Sequence, residues 1–384
     1  MVAQEVVVVV TKYALLATLL FVSVTTTGAV LPEDRSDAMY HSYSGDGVTI
    51  DGPSILLRKK VGNTVSFSAN YYVDTISGAS IDVRAQASEY QEERTEATLG
   101  ADFLHNKTLV NVSFTNSSEN DFEANSYHLG ISQDFFGDLT TLSMSYSRGE
   151  DEVRRRGDLN FLEEAQRQKF GVGLTQVISK NWIMGFNAEN VSDQGYLNNP
   201  YRAIRYLDDD SARGFAFTTE IYPNTRVSNA FSINTNYYLP YRASIYGDVR
   251  YYSDTWGIEA SNIKLGYIHT FGDAWIIDAH VRFYQQEQAN FYQDLFTRAD
   301  EFTYMARDKE LSTYSGMSGG IGITYQWAFS QSFFLEKSTF NIEYDYMQFD
   351  YDNFRDVTTG EAVGEEALFG FSASVIRAYV SIWY

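Results

Sequence analysis

The chain of 384 residues contains no cysteine and only 5 prolines, and beyond its N-terminus it has no long apolar run. The absence of cysteine excludes disulfides, thiolate metal sites and cysteine nucleophiles. Basic residues are also scarce, because 29 Lys and Arg face 50 Asp and Glu, a net charge of -21. Nucleic acid is therefore not an expected partner, since its recognition requires basic surfaces.

Aromatic residues, by contrast, are abundant, with 29 Tyr and 26 Phe. The mean hydropathy of -0.29 is that of a water-soluble protein. Membrane barrels reach a similar average, because lipid-facing apolar residues alternate with polar residues that face the lumen. The average therefore does not separate these two classes.

The apolar run at the N-terminus has the pattern of an export signal. Lys12 precedes YALLATLLFVSV, and the small residues of TTTGA follow. We predict a signal peptide over residues 1–29, cleaved after Ala29, and one domain over residues 30–384. The alternative is an uncleaved membrane anchor, but the apolar core Ala14–Val24 is much shorter than the roughly 20 residues needed to span a bilayer.

The rest of the chain alternates apolar with polar residues. In TVSFSANYYVD, Val65, Phe67 and Tyr71 share one face, and Ser66 and Asn70 lie on the other. The same alternation occurs in SNAFSINTNYYL, RASIYGDVRYY, AWIIDAHVRFY and STFNIEYDYMQF. A period of two sustained so widely indicates β-strands.

The connections between these strands alternate between short and long. The short ones are Gly62-Asn63, Asn106-Lys107, Gly137-Asp138, Lys180-Asn181, Pro240-Tyr241, Gly272-Asp273 and Ser330–Lys337. The long ones are Ile76–Glu92, Gly149–Ala165, Ser192–Arg226, Glu287–Leu311 and Asp352–Ala367. Together with the predicted hairpin Ala38–Lys60 and the final strand Leu368–Tyr384, they give about 16 strands, within a range of roughly 14–18.

Two fold classes fit repeated alternating strands: a soluble sandwich or propeller, and a membrane barrel. The polar faces here carry mainly Ser, Asn and Thr, as expected for a wet lumen, and aromatic pairs such as Tyr237-Tyr238 gather near strand ends. We therefore predict an all-β, antiparallel up-and-down transmembrane β-barrel in the bacterial outer membrane. Its short turns would be periplasmic and its long loops extracellular.

The C-terminus supports this prediction. Tyr384, Ile382 and Val380 alternate with polar positions up to the last residue. A final strand of this kind must pair with the first strand, because an unpaired edge is costly in lipid. We expect these three residues to form an assembly signal for the outer-membrane assembly machinery, and the barrel to contact outer-membrane lipid and lipopolysaccharide.

No catalytic motif is present. The five histidines show no paired spacing, and the glycine-rich SGGIGIT lies in a strand pattern, so it indicates close packing or a bend in the wall. Acidic runs such as Asp208-Asp209-Asp210, Asp350 with Asp352, and Glu361 with Glu365-Glu366 fit solvated loops better than cation sites. We expect no enzymatic activity, no cofactor and no metal site.

Charged residues at predicted inward positions are the main functional candidates. They either brace the barrel or line a pore and set its ion preference. These candidate lumen charges are Asp248, Arg250, Asp278, His280, Arg282, Glu343, Asp345 and Arg377. The pairs Asp248/Arg250 and Asp278/Arg282 are expected on neighbouring strands.

Two long loops carry further candidates. GYLNNPYRAIRYLDDD is too aromatic and too rich in Arg for a plain solvated loop, so we predict a constriction there. Its candidate residues are Tyr196, Asn198, Asn199, Arg202 and Arg205. In the other loop, Arg154-Arg155-Arg156 either binds lipopolysaccharide phosphates or pairs with neighbouring acids.

Four stretches together resemble the bacterial domain-of-unknown-function 3570 family of Tyr-rich exported proteins: YHSYSGDGVTIDGPSILLRKK, YSRGEDEVRRRGD, YLNNPYR and ARDKELSTYSG. The resemblance covers nearly the whole predicted mature chain and implies an outer-membrane location. It carries no assigned activity or functional residue. It also implies an association with a small lipoprotein, a thioredoxin-like protein and a flavin-transferring protein.

Two hypotheses for function follow. The first is a pore or substrate-specific channel. The alternative is a non-transporting scaffold that anchors or houses a lipoprotein or a periplasmic redox or cofactor partner, such as the thioredoxin-like protein.

Overall fold

A computed structural model of the chain describes residues 29–78, 90–329 and 334–384. The predicted signal peptide therefore lies outside the described residues, except for Ala29. Within these ranges, sixteen strands form one closed barrel, and a two-stranded hairpin, β10 and β11, lies in the connection between β9 and β12. No helix in the described part of the chain is long and apolar enough to cross a bilayer.

The strands are long, and several run well past ten residues. Their bounds are β1 Arg35–Gly45, β2 Val48–Val61, β3 Val65–Gly78, β4 Tyr90–His105, β5 Thr108–Ser118, β6 Phe122–Phe135, β7 Thr140–Arg155, β8 Asp158–Ser179, β9 Trp182–Gly195, β10 Ala203–Leu207, β11 Phe215–Thr219, β12 Thr225–Leu239, β13 Ala243–Asp254, β14 Glu259–Phe271, β15 Trp275–Gln286, β16 Tyr314–Ala328, β17 Lys337–Arg355 and β18 Leu368–Trp383. A short 3-10 helix covers Lys309–Leu311.

Each barrel strand pairs antiparallel with the strands next to it in the chain, and β9 pairs with β12 across the inserted hairpin. The barrel closes where β1 pairs with β18, in a register that runs from Arg35 opposite Trp383 to Gly45 opposite Ala373. The predicted 16-strand antiparallel barrel is thus confirmed, including the early hairpin, which turns at Asp46-Gly47.

The barrel exterior is apolar along all its strands. Large side chains such as Phe67, Leu99, Phe231 and Ile321 are about half exposed, while their polar neighbours face inward. A soluble protein does not leave so many large apolar side chains uncovered, whereas lipid covers them in a membrane barrel. At the short-turn end, Trp275 packs edge-on against a Tyr ring at the lipid boundary.

The short turns whose residues are described fall between strands as predicted, and the end of the barrel that carries them also holds the start of β1 and the end of β18. The turn over Ser330–Lys337 and the loop over Ile76–Glu92 lie partly outside the described residues. The prediction of a long loop over Gly149–Ala165 was wrong, because β7 and β8 continue as a paired hairpin up to Arg155 and Asp158. The polar residues of this segment form cross-strand pairs, which extend the ladder beyond the belt of apolar residues.

Candidate pore and outer cap

One group of charged side chains lies together on the inner wall formed by β15, β17 and β18; we call it the lumen charge cluster. His280 contacts Asp278 at 3.3 Å through Nδ1 and Asp345 at 3.0 Å through Nε2. Arg377 contacts Asp345 at 2.7 Å and Glu343 at 3.0 Å. Five of the eight candidate lumen charges therefore form one continuous network, which links β15, β17 and β18 on the lumen side.

Room for this network depends on β16, the strand between β15 and β17. A Cβ atom on Gly320 would lie 2.1 Å from the Asp345 carboxylate and 2.5 Å from the His280 ring. Gly320 is one of the glycines in SGGIGIT, so close packing of the kind expected for that motif occurs at this position. Gly319, directly before it, has open space on the opposite face.

The other three candidate lumen charges are arranged differently from the prediction. Asp248 and Arg250 on β13 are not on a strand next to β15, because β14 lies between them. Arg250 instead bonds Glu189 on β9 at 2.7 Å, and Glu189 also accepts from Lys169 on β8 at 2.6 Å. Neither Asp248 nor Arg282 has a charged partner within 4 Å in the part of the chain that the structure describes.

Sequence reasoning missed Lys169, Glu189 and Lys264 as inward charges. Their inward orientation could have been predicted from the alternation along each strand, since each of them is next to an outward apolar residue such as Phe170 or Ile263. Lys264 stacks over the ring of Tyr246 with its ammonium 5.6 Å from the ring centre. The inner wall from β13 to β18 is thus crowded with charged and aromatic side chains.

A cavity of about 390 Å³ lies against another part of the wall, formed by β5–β9, β12 and Arg250 of β13. Small or polar side chains supply its inner lining, among them Asn111, Ser132, Ser143, Ser145, Asn187 and Ser232. Two charged residues, Glu189 and Arg250, are also part of the lining.

At the opposite end from the short turns, three long connections pack into a compact layer that we call the outer cap: residues 196–224, 287–313 and 356–367. It has its own apolar cores, one around Tyr222, Trp256 and Tyr292 and one around Ile204, Phe296 and Met305. Isolated bridges link the first two connections, for example between Ile221 and Met305.

The outer cap lies across the barrel mouth. Tyr201 bonds Asp121 in the β5–β6 connection, whereas Arg205 in the same loop bonds Glu366 in the β17–β18 connection at 2.5 Å. Lys309 reaches Asp46 in the β1–β2 turn at 2.7 Å. Because these strands are far apart around the ring, the loops that join them pass over the opening.

The candidate constriction residues hold the outer cap together. Arg202 is buried and bonds Asp308 and Glu310, the latter at 3.2 Å. Asn198 donates to the Glu220 carbonyl at 2.8 Å. Asn199 accepts from the Tyr201 amide at 2.9 Å, and Tyr196 packs edge-on against Phe161.

Arg205 is fully buried and also contacts Asp294 at 3.0 Å. The prediction of solvated acidic loops was wrong for its partner Glu366, which is buried. Burial opposes ionisation of Glu366, but the hydrogen bonds from Arg205 outweigh it and hold the pKa of this carboxyl below its usual range. Asp208-Asp209-Asp210, in contrast, lies in the β10–β11 turn, where Asp209 and Asp210 are exposed.

Two further groups of candidates lie outside the lumen. Arg154 and Arg155 pair with Glu152 and Asp158 at 2.8 and 2.6 Å, in line with local ion pairing. At the seam, the Tyr384 hydroxyl donates to the Arg58 carbonyl at 3.2 Å. Ile382 and Val380 lie opposite Ser36 and Ala38 of β1.

A closed sixteen-strand barrel with a lipid-facing exterior and a polar, charged lumen is a transmembrane β-barrel of the bacterial outer membrane. The chain belongs to the family described as "Protein of unknown function (DUF3570)", whose model matches residues 82–171 and 158–376. This confirms the family resemblance drawn from the sequence motifs.

Solved structures of similar fold include a bacterial polysaccharide outer membrane secretin, with a TM-score of 0.49, 7% identity and coverage of 92% of this chain and 100% of that one. The outer membrane protein opdK from Pseudomonas aeruginosa has a TM-score of 0.42, 10% identity and coverage of 91% and 99%. The siderophore receptor PirA from Pseudomonas aeruginosa has a TM-score of 0.42, 9% identity and coverage of 92% and 81%. No curated protein sequence matches the chain.

Proposed function

We propose that this protein is an outer-membrane pore for small polar or ionic solutes, narrowed at its outer mouth by the outer cap. The carrying observation is the open space of about 390 Å³ along the small polar wall. Barrels of eight strands are filled by their own side chains, whereas barrels of about sixteen strands are wide enough for an aqueous channel. Glu189 and Arg250 are the charged residues among those that line this space.

The outer cap supplies the constriction in this proposal. Its buried ion pairs, centred on Arg202 and Arg205, fix loops that cross the mouth. Ordered loops of this kind narrow the entrance and select solutes by size and charge. Solutes that pass the outer cap then reach Glu189, Lys169 and Arg250 on the inner wall.

The experiment compares planar-bilayer conductance of the full chain with that of a variant in which residues 197–222 are replaced by two glycines. This join is feasible because Gln194 and Thr225 are directly opposite on β9 and β12. Conductance should rise severalfold, since the constriction is removed while the barrel ladder stays intact. A matched control shortens only the exposed β10–β11 tip at residues 209–212, and it should conduct like the unmodified chain.

If the shortened variant folds, as judged by heat-modifiable migration on gels, and still fails to conduct, the proposal that the barrel is a pore is overturned. The scaffold hypothesis would then stand, and the small lipoprotein or thioredoxin-like partner should co-purify with the barrel. That partner remains a prediction. If the unmodified chain already conducts and the variant does not exceed it, the barrel is a pore but residues 197–222 are not its constriction.

A further inference from the structure

We propose that Glu92, Glu119 and Asp121 bind a divalent cation of the calcium type at the outer rim of the barrel. Their ligand oxygens lie within 4.8 Å of one another. Calcium binds oxygen ligands at about 2.3–2.6 Å, so oxygens on opposite sides of one ion are separated by roughly twice that distance. The spacing therefore fits one shared ion. The inference does not depend on whether the barrel conducts.

A second observation points to a ligand at this position. Glu92 is only 4% exposed, and its Oε2 atom has no hydrogen-bond partner. Its other oxygen accepts a bond of 3.3 Å from the Asn120 backbone N–H. A buried carboxylate oxygen without a partner is costly, and a bound cation would supply the missing contact.

Two arginines of the described residues act on these carboxylates. Arg94 donates to Glu96 at 2.8 Å and to Ser117 at 3.1 Å and lies 4.0 Å from Glu119, and Arg156 is close enough to attract Glu92. Neither arginine donates to Glu92 Oε2, so this buried oxygen is open to a bound ion.

The position of the site gives the ion a structural role. Glu92 lies at the outer end of β4, and the other two carboxylates lie in the β5–β6 connection. Asp121 also accepts from the Tyr201 hydroxyl of the outer cap. A bound cation would therefore tie β4, the β5–β6 connection and the outer cap to one another.

The test measures calcium binding by isothermal titration calorimetry on the full chain in detergent, together with the thermal unfolding temperature in calcium and in EDTA. Calcium should bind at one saturable site and raise the unfolding temperature, because it binds only the folded state. The double variant Glu92→Gln with Glu119→Gln should bind calcium about tenfold more weakly or worse and lose that rise. Magnesium in the same assay reports the preference between the two ions.

A matched control, Asp209→Asn with Asp210→Asn, removes two exposed acids and should bind calcium like the unmodified chain. In EDTA the Glu92/Glu119 variant should be at least as stable as the unmodified chain, since it loses repulsion between carboxylates. The proposal is overturned if the unmodified chain shows no saturable site or if the Glu92/Glu119 variant binds equally well. It is also overturned if that variant is markedly less stable in EDTA than the unmodified chain. The carboxylates would then stabilise the fold by their attraction to Arg94 and not by binding an ion.

Discussion

At the scale of single residues, the packing of the lumen charge cluster depends on Gly320, because a glycine has no side chain. Gly320→Ala would place a methyl group against both Asp345 and His280. We expect this substitution to separate the two side chains and destabilise the barrel by about 1–3 kcal/mol, the usual cost of overpacking. Urea unfolding in detergent, followed by tryptophan fluorescence, measures the change in the free energy of unfolding.

The adjacent glycine is the control for this prediction. A Cβ atom on Gly319 would have only the His280 carbonyl oxygen as a neighbour, at 3.8 Å. Gly319→Ala should therefore change stability little. Equal effects of the two substitutions would show that backbone flexibility, and not contact with the lumen charge cluster, explains the requirement for glycine.

Inward charges illustrate how far residue-level prediction extends. The alternation of apolar and polar residues along a strand shows which side chains face the lumen, so Glu343 and Arg377 were both placed there from the sequence alone. It does not show which strands lie next to each other. Asp248 and Asp278 were assigned to neighbouring strands, whereas β14 with Lys264 lies between them. The Glu92 group was invisible for the same reason, because 27 positions of chain separate Glu92 from Glu119.

At the scale of elements, strands could be predicted because each must alternate between lipid and water. The loops obey no such rule. Residues 196–224 form a hairpin and a buried core because Ile204 packs with Phe296 and Met305, which are distant in sequence. Likewise, β7 and β8 extend past the apolar belt, where polar residues on both faces concealed the strand pattern.

The outer cap should loosen in acid. Because the folded-state pKa of Glu366 is lowered, its ionised form stabilises the folded loops above the ordinary value of 4.5, and that stability is lost as the pH falls through the lowered pKa. We expect conductance to rise stepwise as the outer solution is acidified below about pH 4.5. Single-channel recording with only the outer side titrated measures this step.

Two variants locate the acid step. Glu366→Gln removes the titrating partner of Arg205. At neutral pH this variant should already show the higher conductance that the unmodified chain reaches only in acid. Glu361→Gln, on the same connection but exposed, should leave the step unchanged. A Glu366→Gln variant that keeps the full acid step would assign it to another carboxylate.

The closing element, β18, gives the next prediction. The Tyr384 ring lies 4.8 Å from the Lys59 ammonium, and its hydroxyl also accepts from Ser36 at 3.2 Å. Tyr384→Ala should reduce the amount of barrel recovered in outer membranes, because both the seam contacts and the expected assembly signal are lost. Tyr384→Phe keeps the ring and should assemble nearly normally, with fractionated membranes and heat-modifiable migration as the measurement. Normal assembly of Tyr384→Ala would exclude this residue from the signal.

At the scale of the whole molecule, the excess of acidic residues sets the expected ion preference. The chain carries 50 acidic and 29 basic residues. Some opposite charges in the lumen pair with one another, as Arg377 does with Asp345, whereas the loop acids Asp209 and Glu361 are exposed. An acidic mouth concentrates cations, and salt screens this effect because the Debye length falls from about 10 Å at 0.1 M to about 3 Å at 1 M.

We therefore expect reversal potentials in a KCl gradient to show a preference for cations at low salt, and this preference should disappear near molar salt. Replacing Asp209, Asp210 and Glu361 by their amides should weaken the preference without lowering conductance at high salt. A preference that did not vary with salt would instead place the selective charges inside the lumen, at positions such as Glu189 where solvent screens less.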